Sequence, residues 1–543
     1  MNSDVRRLGT VIGGSLKEGV EVKLDPGVET EDIAVGTYVV VEGTSKRFFC
    51  LVADVRLAAL DQKALVNPPA FEDDLLAEIW SGAGIYGVLE VAPLLTLDKL
   101  AGALDGPQPV KSVPSHFAVA NQASDEDVEA VFGRDGGSFF EIGTPIEMET
   151  RVCLDLAKLV ERSVGVFGKS GTGKTFLTRL VLAGLVQREV AANLVFDMHN
   201  EYGWEGTGEA GPPPQGLKKL FGPKVSIFSL DPNSTRRRGA TSDFDLQIGY
   251  DQIEPEDIAL LAETLGLKGP MIEAVYLLDR QFGNQWLAKL LDADTEERRQ
   301  ALTSALGAHA ASIGALWRKL SKLARFPFLT RSKPTDYLMA ILDRLRSGTS
   351  VVVEFGDFRA LEAYILVANV LTRRIHHKYV EDVEKAMGVG GTKPRPLIIT
   401  IEEAHKFLHP TVAGQTIFGE IAREMRKYNV TLLVVDQRPS GIDDEVLSQI
   451  GTRLCCLLDN EKDVDAVLSG ASGRNELRAV LARLETKQQA LVFGHAVPMP
   501  IVIKTRTYDD DFYRAVRTFQ DLGALTRAER VKFRDAQVDY LHS

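Results

Sequence analysis

Two groups of residues in this chain are equipped for phosphate chemistry. The stretch GVFGKSGTGKTFLTRL (165–180) places Gly168, Gly173, Lys174 and Thr175 in the spacing GxxxxGK followed by Ser or Thr. In that spacing the glycines let backbone N–H groups turn inward around a phosphate. The lysine reaches the β- and γ-oxygens and the hydroxyl ligates Mg²⁺. The nucleotide grip is therefore assigned to Gly168, Ser170, Gly171, Thr172, Gly173, Lys174, Thr175 and Phe176. An apolar run precedes the loop. A helix is expected after it, with Phe176, Leu177, Leu180 and Val181 on one face and a positive N-terminal end toward the phosphates.

The second group closes PLIITIEE (396–403), an apolar run ending in two carboxylates. Glu402 is expected to hold the Mg²⁺ shell through water, with Thr175 as the other protein ligand. Glu403 is placed to polarise the attacking water. A carboxylate pair at the C-terminal end of a strand stands where ligands gather in open α/β sheets. The additional glutamate favours hydrolysis coupled to motion over a small-molecule kinase, which needs a lid and an acceptor pocket that the sequence does not signal.

These residues need rigid elements to position them. Apolar runs at SVGVFG (163–168), NLVFDMH (193–199), KVSIFSL (224–230), SVVVEF (350–355), PLIITIEE, TLLVVDQ (431–437) and RLCCLLD (453–459) read as strands buried on both faces. Such strands belong to a parallel sheet covered by helices. Between 253 and 347 strand signals give way to helical periodicity, as in IEPEDIALLAETLGL, and an insertion of three to five helices is expected. The basic run RRIHHKYVEDVEK (373–385) is read as complementing a helix dipole, and TRAERVKFRDAQVDYL as a closing amphipathic stretch. Short glycine-punctuated strands at the start, LGTVIGG, GVEVKL, GTYVVVEG and FFCLVADVRL, have the pattern of a small β-barrel. The expected division is a barrel over 1–100, a connection over 101–149, ATPase core over 150–252 and 348–510, the insertion over 253–347, and a helical extension over 511–543.

At 543 residues, 45% hydrophobic and 25% charged, the chain has the composition of a soluble protein. No apolar run approaches the ~18 residues of a membrane span, and no signal peptide is evident at the start. Cys50, Cys153, Cys455 and Cys456 lack metal-ligand spacing. A reducing cytoplasm is the expected compartment. The net charge of −12 excludes a protein that coats nucleic acid over its whole surface. It does not exclude a ring whose inner loops alone are basic.

With the phosphate loop, DMHNEYG (197–203), IEEAH (401–405) and IAREMRKYNVTLLVVDQRPSGIDDEVLSQIGTRL (421–454) carry a resemblance to the HerA family of hexameric DNA translocases in the HerA/FtsK superfamily. The family's Asp-Pro-His-Gly-Glu-Tyr is matched at Asp197, His199, Glu201 and Tyr202. Its Asp-Glu-Ala-His becomes Glu402-Glu403-Ala404-His405, and its Ser-Gln-Arg-Pro becomes Asp436-Gln437-Arg438-Pro439. Met198 and Asn200 stand where the family has Pro and Gly, which puts that turn in question. Glu402 replaces Asp, and Asp436 replaces Ser. The lysine, the second glutamate and the glutamine are retained, so an active ATPase is expected.

The resemblance implies an α/β fold with a RecA-like P-loop ATPase core, a helical insertion and an N-terminal barrel of the kind shared with rotary ATP synthases. It implies that Gln437 senses the γ-phosphate, that Arg162 and Arg426 reach a neighbouring subunit's nucleotide, and that Glu201 assists water or couples nucleotide state to DNA. His199 and His405 are expected near the nucleotide. The implied activity is an ATP- and Mg²⁺-dependent translocase or helicase acting on duplex DNA through the pore of a homo-hexamer. The barrel ring would dock a NurA-like nuclease or another effector, in DNA end processing or anti-phage defence. Two alternatives stay open: a secretion or conjugation motor, and an ATP-sensing scaffold for a defence effector. Candidate DNA contacts are Lys406, Arg236, Arg237, Arg238, Arg325, Arg331 and Lys333.

Overall fold

The computed structural model describes residues 6–524 except 60–84, 100–106, 147, 207–212, 332–335, 390–392, 412, 414–415, 425–426, 472–473 and 486. The expected closing stretch at 526–541 lies outside the described residues. The described residues gather into two units. One takes those of Met1–Leu159, Phe167–Lys174 and Gly451–Arg506. The other takes those of Val160–Val166, Thr175–Ile450 and Thr507–Ser543.

In the first unit six strands close a barrel. They run in the order Gly19–Leu24, Arg7–Ser15, Val119–Gln122, Tyr38–Glu42, Lys46–Ala59 and Ile85–Asp98, which returns to Gly19–Leu24. Alternation drives the closure: Val20, Val22 and Leu24 are buried while the intervening Glu21 and Lys23 face outward. Val11, Val39, Val41, Val52, Leu89 and Val91 fill the same core, and closure leaves no unpaired main edge. The strand Val119–Gln122 comes from the stretch expected as a connection; it pairs antiparallel with Arg7–Ser15 and Tyr38–Glu42 and buries Ala120 in the barrel core.

An antiparallel sheet completes this unit, in the order Ile450–Cys455, Gln489–Gly494, Ile501–Thr505, Phe139–Pro145 and Val152–Asp155. The run RLCCLLD was expected in a parallel sheet, but its strand pairs antiparallel with Gln489–Gly494. An apolar run reports burial on both faces, not direction. The buried Tyr38 hydroxyl donates to the Pro500 carbonyl at 2.8 Å and ties barrel to sheet.

The second unit is built on neighbouring strands Phe244–Asp245, Val225–Ser229, Ser350–Glu354, Ala192–Asp197, Leu397–Glu402, Val430–Asp436 and Ser163–Phe167. The ladders from Phe244–Asp245 through Val430–Asp436 are parallel. Every residue of Ala192–Asp197 and Leu397–Glu402 is buried, as a sheet covered on both faces requires. Four adjacent strands end in an acid: Glu354, Asp197, Glu402 and Asp436. Asp197 is in register with Glu354, and Glu402 with Val435.

The insertion over 253–347 carries seven helices among the described residues, two of them six residues or shorter. It also holds a two-residue strand, Leu329–Thr330, paired with Ile248–Gly249. Local signals set its helices: Asp336 accepts from Met339 N and caps Tyr337–Ser347, and Gly348 ends it in the left-handed region. The basic run at 373–385 does not end a helix but lies within Leu361–Val389. Its Arg373 meets the buried Asp257 at 2.8 Å and fastens the insertion to that helix.

Candidate nucleotide site

The strand Ser163–Phe167 is wholly buried and the helix Lys174–Arg188 begins at the lysine of the loop. Between them the backbone turns through Gly173 at φ 97°, a region a β-carbon disfavours. Gly168 lies against Cys456; a β-carbon there would come within 2.7 Å of the Cys456 Cβ. The loop base is held by backbone bonds: Cys456 N donates to Phe167 O at 2.8 Å, and Lys169 N to Leu457 O at 3.0 Å. Thr172 Oγ1 donates to Lys169 O at 2.8 Å, and Lys174 Nζ reaches the same carbonyl at 3.4 Å. Burial pushes the Cys456 thiol up to about 12, which makes it a wall of the loop and not a nucleophile.

Leu177, Leu180 and Val181 are buried on the helix after the loop, whereas Phe176, in its first turn, is 41% exposed. Its ring lies 5.2 Å from the Arg179 guanidinium and edge-on to Tyr508 at 6.5 Å. Arg179 is 1% exposed. Its Nε donates to Glu201 O at 3.0 Å, and its Nη2 stands 3.9 Å from the Glu201 carboxylate. Nothing in the sequence marked this buried arginine.

The carboxylates at the strand ends are organised by the turn after Ala192–Asp197. Asp197 Oδ1 accepts from Glu201 N at 2.7 Å; Oδ2 accepts from Tyr202 N at 2.8 Å and Gly203 N at 3.2 Å. Asn200 takes φ 57°, a conformation asparagine tolerates better than most residues. Its amide exchanges two hydrogen bonds with Gly356, each 3.0 Å. The Asn200 replacement therefore keeps a left-handed turn and anchors it. His199 is exposed.

Tyr202 Oη donates to Glu402 Oε1 at 2.8 Å. Glu402 Oε2 is buried with no hydrogen-bond partner. Burial, then the Asp197 charge, pushes the Glu402 carboxyl up to about 8; burial, then Glu354, pushes Asp197 up to about 7. Glu403, the residue after the strand, adopts φ 48°, in the left-handed region. Gln437 Nε2 donates to Glu403 Oε1 at 3.2 Å. His405 Nδ1 lies 3.7 Å from Glu403 Oε2 and 3.0 Å from Asp436 Oδ2. The structure thus brings Glu403, Gln437, His405 and Asp436 together, and separately Glu402 with Tyr202.

Arg162 stands at the start of the strand Ser163–Phe167, the end opposite the loop, with its Nε buried and without a hydrogen-bond partner. Arg426 lies outside the described residues, as does Lys333. Of the candidate DNA contacts, Arg238 pairs with the buried Glu354 at 2.7 Å, Arg237 pairs with Asp357 and Arg331 with Asp292. Lys406 and Arg325 are exposed.

A glycine-rich loop opening a helix, on an α/β unit whose strands end in carboxylates, defines a P-loop ATPase. Residues 140–375 match the family described as the central domain of the helicase HerA, and residues 8–106 match the HAS barrel domain. The DNA double-strand break repair helicase HerA of Pyrococcus furiosus is 26% identical over 468 residues, 80% of this chain and 82% of that protein. The HerA of Sulfurisphaera tokodaii, which bears the same description, is 24% identical over 522 residues, 92% and 93% of the two chains. Among solved structures, VirB4 of Thermoanaerobacter pseudethanolicus matches with TM-score 0.44 at 14% identity, covering 69% of this chain and 98% of that one. The chain thus resembles the HerA helicases in both its central domain and its barrel. Among the described residues no helix is long and apolar enough to cross a membrane.

Proposed function

We propose that this chain is an ATP-hydrolysing motor that moves duplex DNA through a ring of six copies. The observation that carries the reading is the hydrogen bond from Gln437 to Glu403, one residue beyond Glu402, on a chain with an intact phosphate loop. The kinship with proteins described as DNA double-strand break repair helicases supports DNA as the substrate.

Lys174 carries the positive charge for the β- and γ-phosphates, exchanging its loop carbonyl for a phosphate oxygen. Glu403 accepts the proton of the attacking water, and Gln437 fixes the direction of that carboxylate. Thr175 and Glu402 would hold Mg²⁺. The unpartnered, buried Oε2 of Glu402 is a hard oxygen donor that fits such an ion. When bound, Mg²⁺ neutralises charge on the phosphates. Arg162, and Arg426, act on the nucleotide of an adjacent copy. Glu201, tied through Arg179 to the loop helix, couples nucleotide state to movement. The barrel forms the docking face for a nuclease of the NurA type, in end processing or phage defence in the cytoplasm.

Displacement of streptavidin from a biotinylated duplex end tests the motor. The expected result is ATP-dependent displacement that Lys174→Ala abolishes. Displacement without ATP, or none from a preparation that hydrolyses ATP, contradicts it. Binding to the duplex should weaken steeply with salt and ignore sequence.

A further inference from the structure

We infer that Tyr202 is a positioning residue for the metal carboxylate: it pins one oxygen of Glu402 so that only Oε2 is presented to the ion. The inference rests on the reading of Glu402 as a Mg²⁺ residue.

Glu402 is held at three points. Tyr202 Oη donates to Oε1 at 2.8 Å. Tyr364 Oη donates to the Glu402 carbonyl at 3.1 Å and accepts from its N–H at 3.0 Å. Both tyrosines are wholly buried, so water does not compete for these bonds. Tyr364 fixes the backbone and Tyr202 fixes the side chain. Tyr202 is in turn placed by Asp197, which accepts its N–H at 2.8 Å. One oxygen of the carboxylate is thereby occupied, and the other is buried and unpartnered.

A carboxylate with two free oxygens rotates among several ways of meeting a cation, whereas one pinned by a buried phenol has a single free oxygen in a fixed direction. Outer partners of this kind orient metal ligands and change metal affinity by about 10–100-fold when removed. The chain also explains why Glu suits this position. An aspartate would draw the carboxyl back by up to about 1.5 Å, beyond hydrogen-bonding reach of Tyr202 Oη. Tyr202 and Glu402 thus act as a matched pair, 200 residues apart in the chain.

The test is a Mg²⁺ titration of fluorescent ATP-analogue binding, with nucleotide affinity in EDTA measured alongside. Tyr202→Phe is expected to raise the Mg²⁺ concentration for half-maximal tightening about 10–100-fold while leaving the EDTA affinity within about twofold. Glu402→Asp is expected to give a similar shift, and adding Tyr202→Phe to it to give no more. An unchanged Mg²⁺ midpoint in Tyr202→Phe, or additive shifts in the double variant, overturns the inference while Glu402→Gln still shifts the midpoint. A Glu402→Gln midpoint equal to wild type overturns the metal reading itself. If Tyr202→Phe does not fold, the Glu402→Asp arm decides: a wild-type midpoint there contradicts the pairing.

Discussion

His405 Nδ1 lies 3.0 Å from Asp436 Oδ2, and the same wholly buried carboxylate accepts the backbone N–H of His405 and of Arg438, each at 2.7 Å. Asp436 therefore ties the segment after the carboxylate strand to the turn that carries Gln437. A serine offers one short hydroxyl in place of two charged oxygens. Asp436→Ser is expected to destabilise the protein by about 1–3 kcal/mol, because buried N–H groups lose charged acceptors. Urea unfolding measures this. Turnover should fall more than ATP affinity, since the lost contacts support Gln437 and Glu403 and not the loop. Wild-type stability in the variant would contradict the assignment.

Arg238 and Glu354 form the second decisive pair. Glu354 is fully buried and the Arg238 guanidinium sits 2.7 Å from its Oε2. Arg238→Ala is expected to destabilise by about 3–5 kcal/mol, since it strands a buried charge. Adding Glu354→Gln should restore most of the loss. Arg236 is exposed, and Arg236→Ala should shift stability by no more than about 0.5 kcal/mol. Denaturant midpoints for the three variants separate the two roles.

His376 gives the protein a pH dependence of stability. It is 3% exposed in the helix Leu361–Val389, its Nδ1 has no hydrogen-bond partner, and burial lowers its pKa to about 4. Its own helix brings His377, which adds to the lowering, and the opposing ring is Tyr428, 6.3 Å away. The folded state favours neutral imidazole. Its contribution is complete above the unfolded value near 6.5, falls as pH drops toward about 4, and is flat below that. The loss amounts to roughly 3 kcal/mol. His376→Phe should remove this slope, which thermal melts between pH 7 and 4 would record as a smaller drop in Tm than wild type.

Much of this was legible from the chain alone. All seven apolar runs became strands, because a strand buried on both faces has no polar alternation to obscure it. The phosphate loop and the Glu402–Glu403 pair were visible because their chemistry depends on local spacing. The partners that tune them were not. Tyr202 and Glu402, Asp436 and His405, and Arg238 and Glu354 meet only after the sheet forms, and no local periodicity links residues so far apart. Arg236, Arg237 and Arg238 read as one basic cluster, yet Arg238 is committed to a buried acid. The Asn200 departure put its turn in question, but an asparagine accepts the same left-handed backbone as a glycine.

Arg162 is separated from the phosphate loop by the five-residue strand Ser163–Phe167, a span of roughly 16 Å at about 3.3 Å per residue. It cannot reach its own nucleotide from there. Mixing experiments follow. Arg162→Ala and Glu403→Gln should each be nearly inactive alone. A co-assembled mixture should regain hydrolysis, because some interfaces join an intact Glu403 to an intact Arg162 of the next copy. A mixture as inactive as its components would remove Arg162 from the mechanism.

In the proposed mechanism Glu403 activates water in a motor driven along DNA, and ATP turnover with and without duplex DNA, in wild type and in Glu403→Gln, reads out both parts. The predicted result is DNA-stimulated hydrolysis in wild type and a fall of about 10²-fold or more in Glu403→Gln, with ATP binding retained. Undiminished turnover in Glu403→Gln, or a wild-type rate indifferent to DNA, would contradict the account.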